Sequence, residues 1–253
     1  MNPTNPSTTP RKVAVVTGAS SGIGHEAVGL LLKHGLKVYG LSRTKPDFVN
    51  EAFVWLECDL MSEDSIKAAA QKIVEPQLEL LVCNAGTAIE ESATIVTQRS
   101  FDNTFKLNVL APMLLVRELH GKLYVGTIIN ISSVSDRILE KNYALYSSSK
   151  AASTRYFETL ALEISGAKVY SLLPDYVDTP LLRQLEQGRS FAWDKTIQTW
   201  QMAMVIYKVY KQELPLPTGS NIIVLNNALE ASSKSAEKLY IYNVDTQRLE
   251  RPI

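Results

Sequence analysis

The segment Tyr146-Ser147-Ser148-Ser149-Lys150 places a phenol and an ammonium four residues apart. On a helix that spacing puts both on one face. An opposite charge within reach favours the phenolate and shifts a pKa by about 1–3 units. Such a tyrosine can exchange a proton near neutral pH, as a general acid or base should. The pattern is short, and a second copy, Tyr207 to Lys211, reads as a helix surface pair. Context separates the two copies. Thirteen residues before Tyr146 stands Ser133, just past the apolar run Gly126–Ile131, whereas thirteen before Tyr207 stands Asp194, in a loop. A serine at a strand's carboxyl end can hydrogen-bond an oxygen held in the crevice of an open α/β sheet. Ser132 is the neighbouring candidate, and strand alternation sends the two side chains in different directions.

A second chemical signal is Thr17-Gly18-Ala19-Ser20-Ser21-Gly22-Ile23-Gly24, between a strand-like and a helix-like segment. A glycine-rich turn in that position lets backbone approach a pyrophosphate, and the helix N-terminus offers free N–H groups and a positive dipole end. A third is Leu41-Ser42-Arg43-Thr44. Where an acid would accept ribose hydroxyls and mark NAD(H), Arg43 follows instead. A guanidinium suits a 2′-phosphate, so the expected cofactor is NADP(H), with NAD(H) the alternative.

These residues need elements to position them. Lys12–Val16, Lys37–Leu41, Phe53–Glu57, Leu78–Val82, Gly126–Ile131, Lys168–Leu173 and Asn221–Leu225 read as strands. Helical patterns lie at Gly22–His34, from a Ser62 cap to about Lys72, near Phe101–Leu119, and over Tyr143–Ile164. Glu63 and Asp64 suit the first turn after Ser62. Continuously apolar strands alternating with helices predict an α/β fold, a parallel sheet of about seven strands covered on both faces. No linker interrupts the alternation, so residues 11–253 are expected to form one domain. Residues 1–10, with three prolines, are expected to be a disordered tail. The segment from about 180 to 215 is expected to be a substrate lid. Within it Leu181, Leu182, Phe191, Trp193 and Trp200 either line an apolar pocket or pack the lid onto the body.

Composition narrows the function. The chain has 253 residues, 45% hydrophobic and 21% charged, in the range of a globular domain with a full core. Its 26 basic and 26 acidic side chains cancel, which speaks against a nucleic-acid footprint. Apolar stretches such as Val109 to Val116 fall far short of the roughly 20 residues of a membrane span. Cys58 and Cys83 are too few for a disulfide framework or a four-ligand metal site, and read as buried thiols in a reducing compartment. No metal site is expected, and cytoplasm is the expected location. His25 follows the glycine turn; His34 and His120 sit at helix ends, where a cation is favourable. Asn130-Ile131-Ser132 matches a glycosylation sequon but falls on a buried strand. H-E-x-x-H does not occur.

Taken together, the chain resembles the short-chain dehydrogenase/reductase family from about Arg11 to Thr179. The resemblance rests on Thr17–Gly24, Asp59 after the third strand, Asn84-Ala85-Gly86 after the fourth, Asn108, Ser133, Tyr146 and Lys150, in that order. It implies a Rossmann-like doubly wound sheet and hydride transfer between a nicotinamide and a small carbonyl or alcohol substrate. By resemblance, Tyr146 exchanges the proton and Ser133 holds the substrate oxygen. Lys150 binds the nicotinamide ribose and lowers the tyrosine pKa, and Asn108 holds a water in a proton relay. Thr17, Gly18, Ser20, Ser21, Gly22, Ile23 and Gly24 cradle the cofactor. Asp59 contacts the adenine, Asn84, Ala85 and Gly86 support the cofactor, and Val177 and Thr179 contact the carboxamide. Small residues on the Tyr143–Ile164 helix imply a homodimer or homotetramer.

Three positions depart from the family pattern. Asp175 stands where glycine usually follows proline, Asp136 where a glycine often follows the serine, and Asn226-Asn227-Ala228 where a glycine pair is usual. Arg137, Arg183 and Arg189 are candidates to greet an acidic substrate. A non-catalytic dinucleotide-binding regulator is the alternative reading, and cofactor-neutral chemistry such as epimerisation or dehydration is a third.

Overall fold

The computed structural model describes residues 11–226 and 239–250. The chain runs β1 (Val13–Thr17), α1 (Gly22–Lys33), β2 (Lys37–Ser42), β3 (Phe53–Glu57), α2 (Glu63–Gln71), β4 (Leu80–Cys83) and α3 (Gln98–Phe105). It continues through α4 (Ala111–Leu119), β5 (Thr127–Ile131), α5 (Ala144–Glu163), β6 (Lys168–Pro174), α6 (Pro180–Leu185) and α7 (Thr199–Tyr210). Strands β7 (Ser220–Leu225), β8 (Leu239–Asn243) and β9 (Arg248–Glu250) complete it. The tail 1–10 and the pair Asn227-Ala228 lie outside the described residues.

All these strands share one sheet, in the order β3-β2-β1-β4-β5-β6-β7-β8-β9. Every pairing is parallel except β8 with β9. Strand alternation explains why the strands are apolar throughout. In β1, Ala14 and Val16 join one core beside α1 and α7, while Val13 and Val15 join another beside α2, α4 and α5. Both faces are covered, so both sets of side chains must be apolar.

The sheet has nine strands rather than about seven. The extra pair forms a short antiparallel edge hairpin. Its turn is held by the Asn243 side-chain oxygen, which accepts the Asp245 and Thr246 N–H groups at 3.0 Å each. A strand as short as Arg248–Glu250 carries too few residues for a period to show.

The predicted helix Phe101–Leu119 is not one helix. A π-helical turn, Lys106–Leu110, separates α3 from α4. Residue 112 is proline, which has no N–H for the Asn108 carbonyl four residues earlier. The backbone widens just before that defect, at Asn108. Elsewhere local chemistry follows expectation. Ser62 caps α2 by accepting the Ser65 N–H at 3.2 Å, with Glu63 and Asp64 in the first turn.

Strand order reverses at β1, where β2 and β4 lie on opposite sides. Outside the carboxyl ends of strands at such a switch point, open α/β sheets form their binding crevice.

Candidate active site

A cleft of about 380 Å³ opens there. One end is built by the turn after β1. Gly18, Ser20, Ser21, Gly22 and Ile23 line it, whereas Thr17 and Gly24 sit behind it. Thr17 is a tie between strands: its hydroxyl oxygen accepts the N–H groups of Asn84 (2.9 Å) and Ala85 (3.0 Å). Asn84 returns a bond from its side-chain amide to the Thr17 carbonyl at 2.9 Å. Gly24 lets the helix approach the turn, since a Cβ there would overlap the Gly18 carbonyl oxygen. Ser21 begins α1 without a side-chain cap, and the first turn holds no acid. Its orphan N–H groups and positive dipole end therefore remain for an anion. A Cβ on Gly22 (φ +57°) would come within 3.3 Å of Thr179 Cγ2, narrowing the gap between turn and α6.

Arg43 borders the cleft from the end of β2 and is exposed. Asp59 and Leu60 border it after β3, and Asn84, Ala85 and Gly86 after β4. Cys58 and Cys83 are both free and buried; burial pushes the Cys83 thiol up to about 12. His25 turns to a different task. It pairs with Asp47 at 3.0 Å and stacks on Phe48.

At the other end, Ser132 and Ser133 part as strand alternation predicts. Ser132 also borders the cleft, but its hydroxyl is taken up in a 2.7 Å hydrogen bond with Thr154. Ser133 lines the cleft, and its hydroxyl oxygen accepts the Ser135 N–H at 3.1 Å. Tyr146 and Lys150, one turn apart on α5, line the same wall. Burial pushes the Tyr146 phenol up to about 12, while hydrogen bonding to Ser133 pulls it down. Burial brings the Lys150 ammonium down to about 8, opposed by the charge of Asp136.

The expected lowering of the tyrosine pKa by Lys150 is not what this structure shows. The Lys150 ammonium donates to the Ile131 carbonyl at 2.9 Å and lies 5.8 Å from the centre of the Tyr146 ring. Its charge is directed to a backbone oxygen and the ring face, and desolvation dominates at the phenol.

Asn108 does not line the cleft. Its side chain is buried and braces the wall, accepting the Thr87 N–H and donating to the Thr87 carbonyl, each at 2.8 Å. It also donates to Ser149 at 2.9 Å. Val177 and Thr179 line the cleft after β6, and Thr179 caps α6 by accepting the Leu182 N–H at 3.2 Å.

The predicted lid divides. Leu181, Leu182 and Leu185 of α6 line the cleft. By contrast, α7 buries Met202, Ala203, Val205 and Ile206 in the core it shares with α1. Phe191 and Trp193 pack on each other, and Phe191 on Tyr176, without lining the cleft; Trp200 is exposed. The second Y-x-x-x-K copy is remote, with Tyr207 stacked on His34 at 4.1 Å.

The three candidate arginines are already paired. Arg183 grips Asp178 with two bonds of 2.6 and 2.7 Å. Arg189 pairs with Glu90, and Arg137 with Asp136 and Glu158. Sequence reasoning did not assign Thr87, Glu140, Tyr143, Asp175 or Tyr176 to the cleft, yet all line it. Only Asp175 carried a signal, as an acid in place of the usual glycine.

Comparison with known proteins agrees with this geometry. A family model described as short chain dehydrogenase matches residues 12–190. The chain is 29% identical over 191 residues to carbonyl reductase [NADPH] 2 of Sus scrofa, covering 71% of this chain and 77% of that protein. A solved short chain dehydrogenase family protein from Francisella tularensis superposes with a TM-score of 0.79 at 24% identity, covering 85% and 97% of the two chains. The 3-ketoacyl-(acyl-carrier-protein) reductase of Brucella melitensis, solved with NADH, gives 0.74 at 24% identity over 84% and 96%. A crevice at the sheet's switch point, an uncapped helix behind a glycine turn, and a serine, tyrosine and lysine on one wall thus meet a family match over most of the chain, and the protein belongs to the short-chain dehydrogenase family of oxidoreductases.

Proposed function

We propose that this protein is an NADP(H)-dependent oxidoreductase that interconverts a small carbonyl compound and its alcohol. The observation that carries the reading is that Ser133, Tyr146 and Lys150 share one cleft with the uncapped N-terminus of α1 and with Arg43.

The residues present fit a dinucleotide. Its pyrophosphate would be held by the N–H groups of Gly22 and Ile23 beside Ser20 and Ser21, and its adenine end by Asp59. Arg43 would bind a 2′-phosphate, and no acid stands beside it to accept ribose hydroxyls. Lys150 would hold the nicotinamide ribose, and Val177 and Thr179 the carboxamide. A bound nicotinamide supplies or accepts the hydride.

The chain's own part is positional and protonic. Ser133 donates a hydrogen bond to the substrate oxygen. Tyr146 delivers its phenolic proton to that oxygen in reduction and withdraws it in oxidation. A phenol held up at about 12 is fully protonated at neutral pH, the state that reduction requires. Asn108 supports the wall from behind. Of the relatives described above, one is named for NADPH and one was solved with NADH, so the argument for NADP(H) rests on Arg43. The reading includes a cytoplasmic homodimer or homotetramer.

Paired thermal-shift titrations with NADPH and NADH test the cofactor, followed by a carbonyl screen at the nicotinamide absorbance. NADPH should stabilise the fold more at equal concentration. Equal or stronger stabilisation by NADH overturns the Arg43 assignment. Binding without turnover of any carbonyl or alcohol moves the reading to a non-catalytic dinucleotide-binding protein.

A further inference from the structure

The substrate end of the cleft has an unusual charge balance. Among the described residues, the basic side chains that line the cleft are Arg43 and Lys150. The first stands at the far end, after β2. The second donates to the Ile131 carbonyl. Around the mouth beyond Tyr146, the lining charges are acidic: Glu140 and Asp175. The nearby arginines do not offset them, because Arg183, Arg189 and Arg137 each hold an acid of their own.

Both carboxylates engage Tyr176, Glu140 through its hydroxyl and Asp175 through its backbone N–H. The Tyr176 hydroxyl donates to Glu140 at 2.6 Å, joining the loop after β5 to the segment after β6. Asp175 is its chain neighbour. The Tyr176 phenol is pushed well above its ordinary value, first by burial and then by Glu140, with Asp175 adding to the effect. Partial burial also raises the Asp175 carboxyl, relieved by the Tyr176 backbone N–H. Among the described residues no cation pairs with Asp175.

Aromatic faces complete the wall. Tyr143, Tyr146 and Tyr176 all line the cleft, and the rings of Tyr143 and Tyr146 meet edge to face with centres 6.3 Å apart. Tyrosine faces and carboxylates around a partly desolvated space are complementary to an organic cation. They repel an anion, whose desolvation would go uncompensated.

We infer that the substrate of this cleft carries a cationic group, an amine or quaternary ammonium, close to its reactive carbonyl or carbinol carbon, and that Asp175, with Glu140, recognises it. The inference rests on the oxidoreductase reading for where the reactive carbon sits. The charge preference itself can be tested apart from that reading.

Three phenyl ketones of similar size serve as probes. They are phenacyltrimethylammonium, its uncharged isostere neopentyl phenyl ketone, and phenacylsulfonate. Each is offered to the full chain with saturating NADPH, and both kcat/KM and the ligand-induced rise in Tm are measured. The ammonium ketone should exceed its neutral isostere at least about tenfold in kcat/KM, and the sulfonate should be the poorest. In Asp175→Asn the ratio of ammonium to neutral ketone should fall about tenfold. The change in that ratio between native chain and variant cancels the intrinsic reactivity of each ketone. Glu140→Gln, a second variant of nearly unchanged shape, should lower it in the same direction.

A neutral or anionic ketone that matches the ammonium ketone overturns the inference and leaves the oxidoreductase reading standing. So does a ratio unchanged in both variants. If no ketone turns over but the ammonium compound still raises Tm more than its isostere, and loses that advantage in Asp175→Asn, cation recognition at Asp175 holds, and the oxidoreductase reading is left to the carbonyl screen.

Discussion

Asn108 holds both backbone polar groups of Thr87. Its side-chain oxygen accepts the Thr87 N–H and its amide donates to the Thr87 carbonyl, each at 2.8 Å. The pairing ties the loop after β4, a wall of the cleft, to a π-helical turn that Pro112 imposes. Asn108 is 4% exposed.

Replacing Asn108 with leucine should therefore cost about 2 kcal/mol, because two partly buried backbone groups of Thr87 lose their partner, at about 1 kcal/mol each. Urea unfolding of the chain without nucleotide reads this directly. A midpoint equal to that of the native chain would show that Thr87 finds other partners.

Tyr146→Phe removes the proton donor and little volume. Turnover should drop about 10²- to 10⁴-fold, the range a general acid contributes. The Tm rise on adding NADPH should be nearly unchanged. Retained turnover would exclude Tyr146 as the acid.

Lys150 makes a pH prediction with a definite sign. Burial holds its ammonium down at about 8, below the ordinary lysine value of about 10.4. Between these values the unfolded chain binds a proton that the folded chain lacks. Stability contributed by this group therefore rises with pH across that window and is least below it. Unfolding of the native chain and Lys150→Met, compared from pH 7 to 10, should show the native chain gaining on the variant. Nucleotide affinity should move the other way, weakening above pH about 8 as the ammonium loses charge. A variant with the same two pH trends would remove Lys150 as their source.

Arg43→Leu should weaken NADPH binding about 10- to 100-fold, as expected for charge-assisted hydrogen bonds of about 1.5–3 kcal/mol, and spare NADH. Equal loss for both nucleotides would place Arg43 elsewhere than on the 2′-phosphate.

Local patterns in the chain determined a good deal. Apolar runs such as Val13–Thr17 specify strands buried on both faces, and the glycine turn before Ile23 specifies a close strand-to-helix connection. The four-residue step from Tyr146 to Lys150 sets one helix face, and strand alternation separates Ser132 from Ser133. These are short-range consequences of backbone geometry, and they emerge wherever the pattern is written.

Tertiary structure decided what depends on distant segments meeting. Thr17 and Gly24 carry the signature of the turn, yet they brace it from behind, because the partners that absorb them, Asn84 and Gly18, are brought there by the sheet. Whether an arginine is free or paired depends on acids far away in the chain, as with Arg189 and Glu90. Glu140 and Asp175 lie on separate loops and reach one wall only because β5 and β6 are neighbours. Even the Tyr146 pKa follows from burial rather than from the nearby lysine, and burial is a property of the assembled fold.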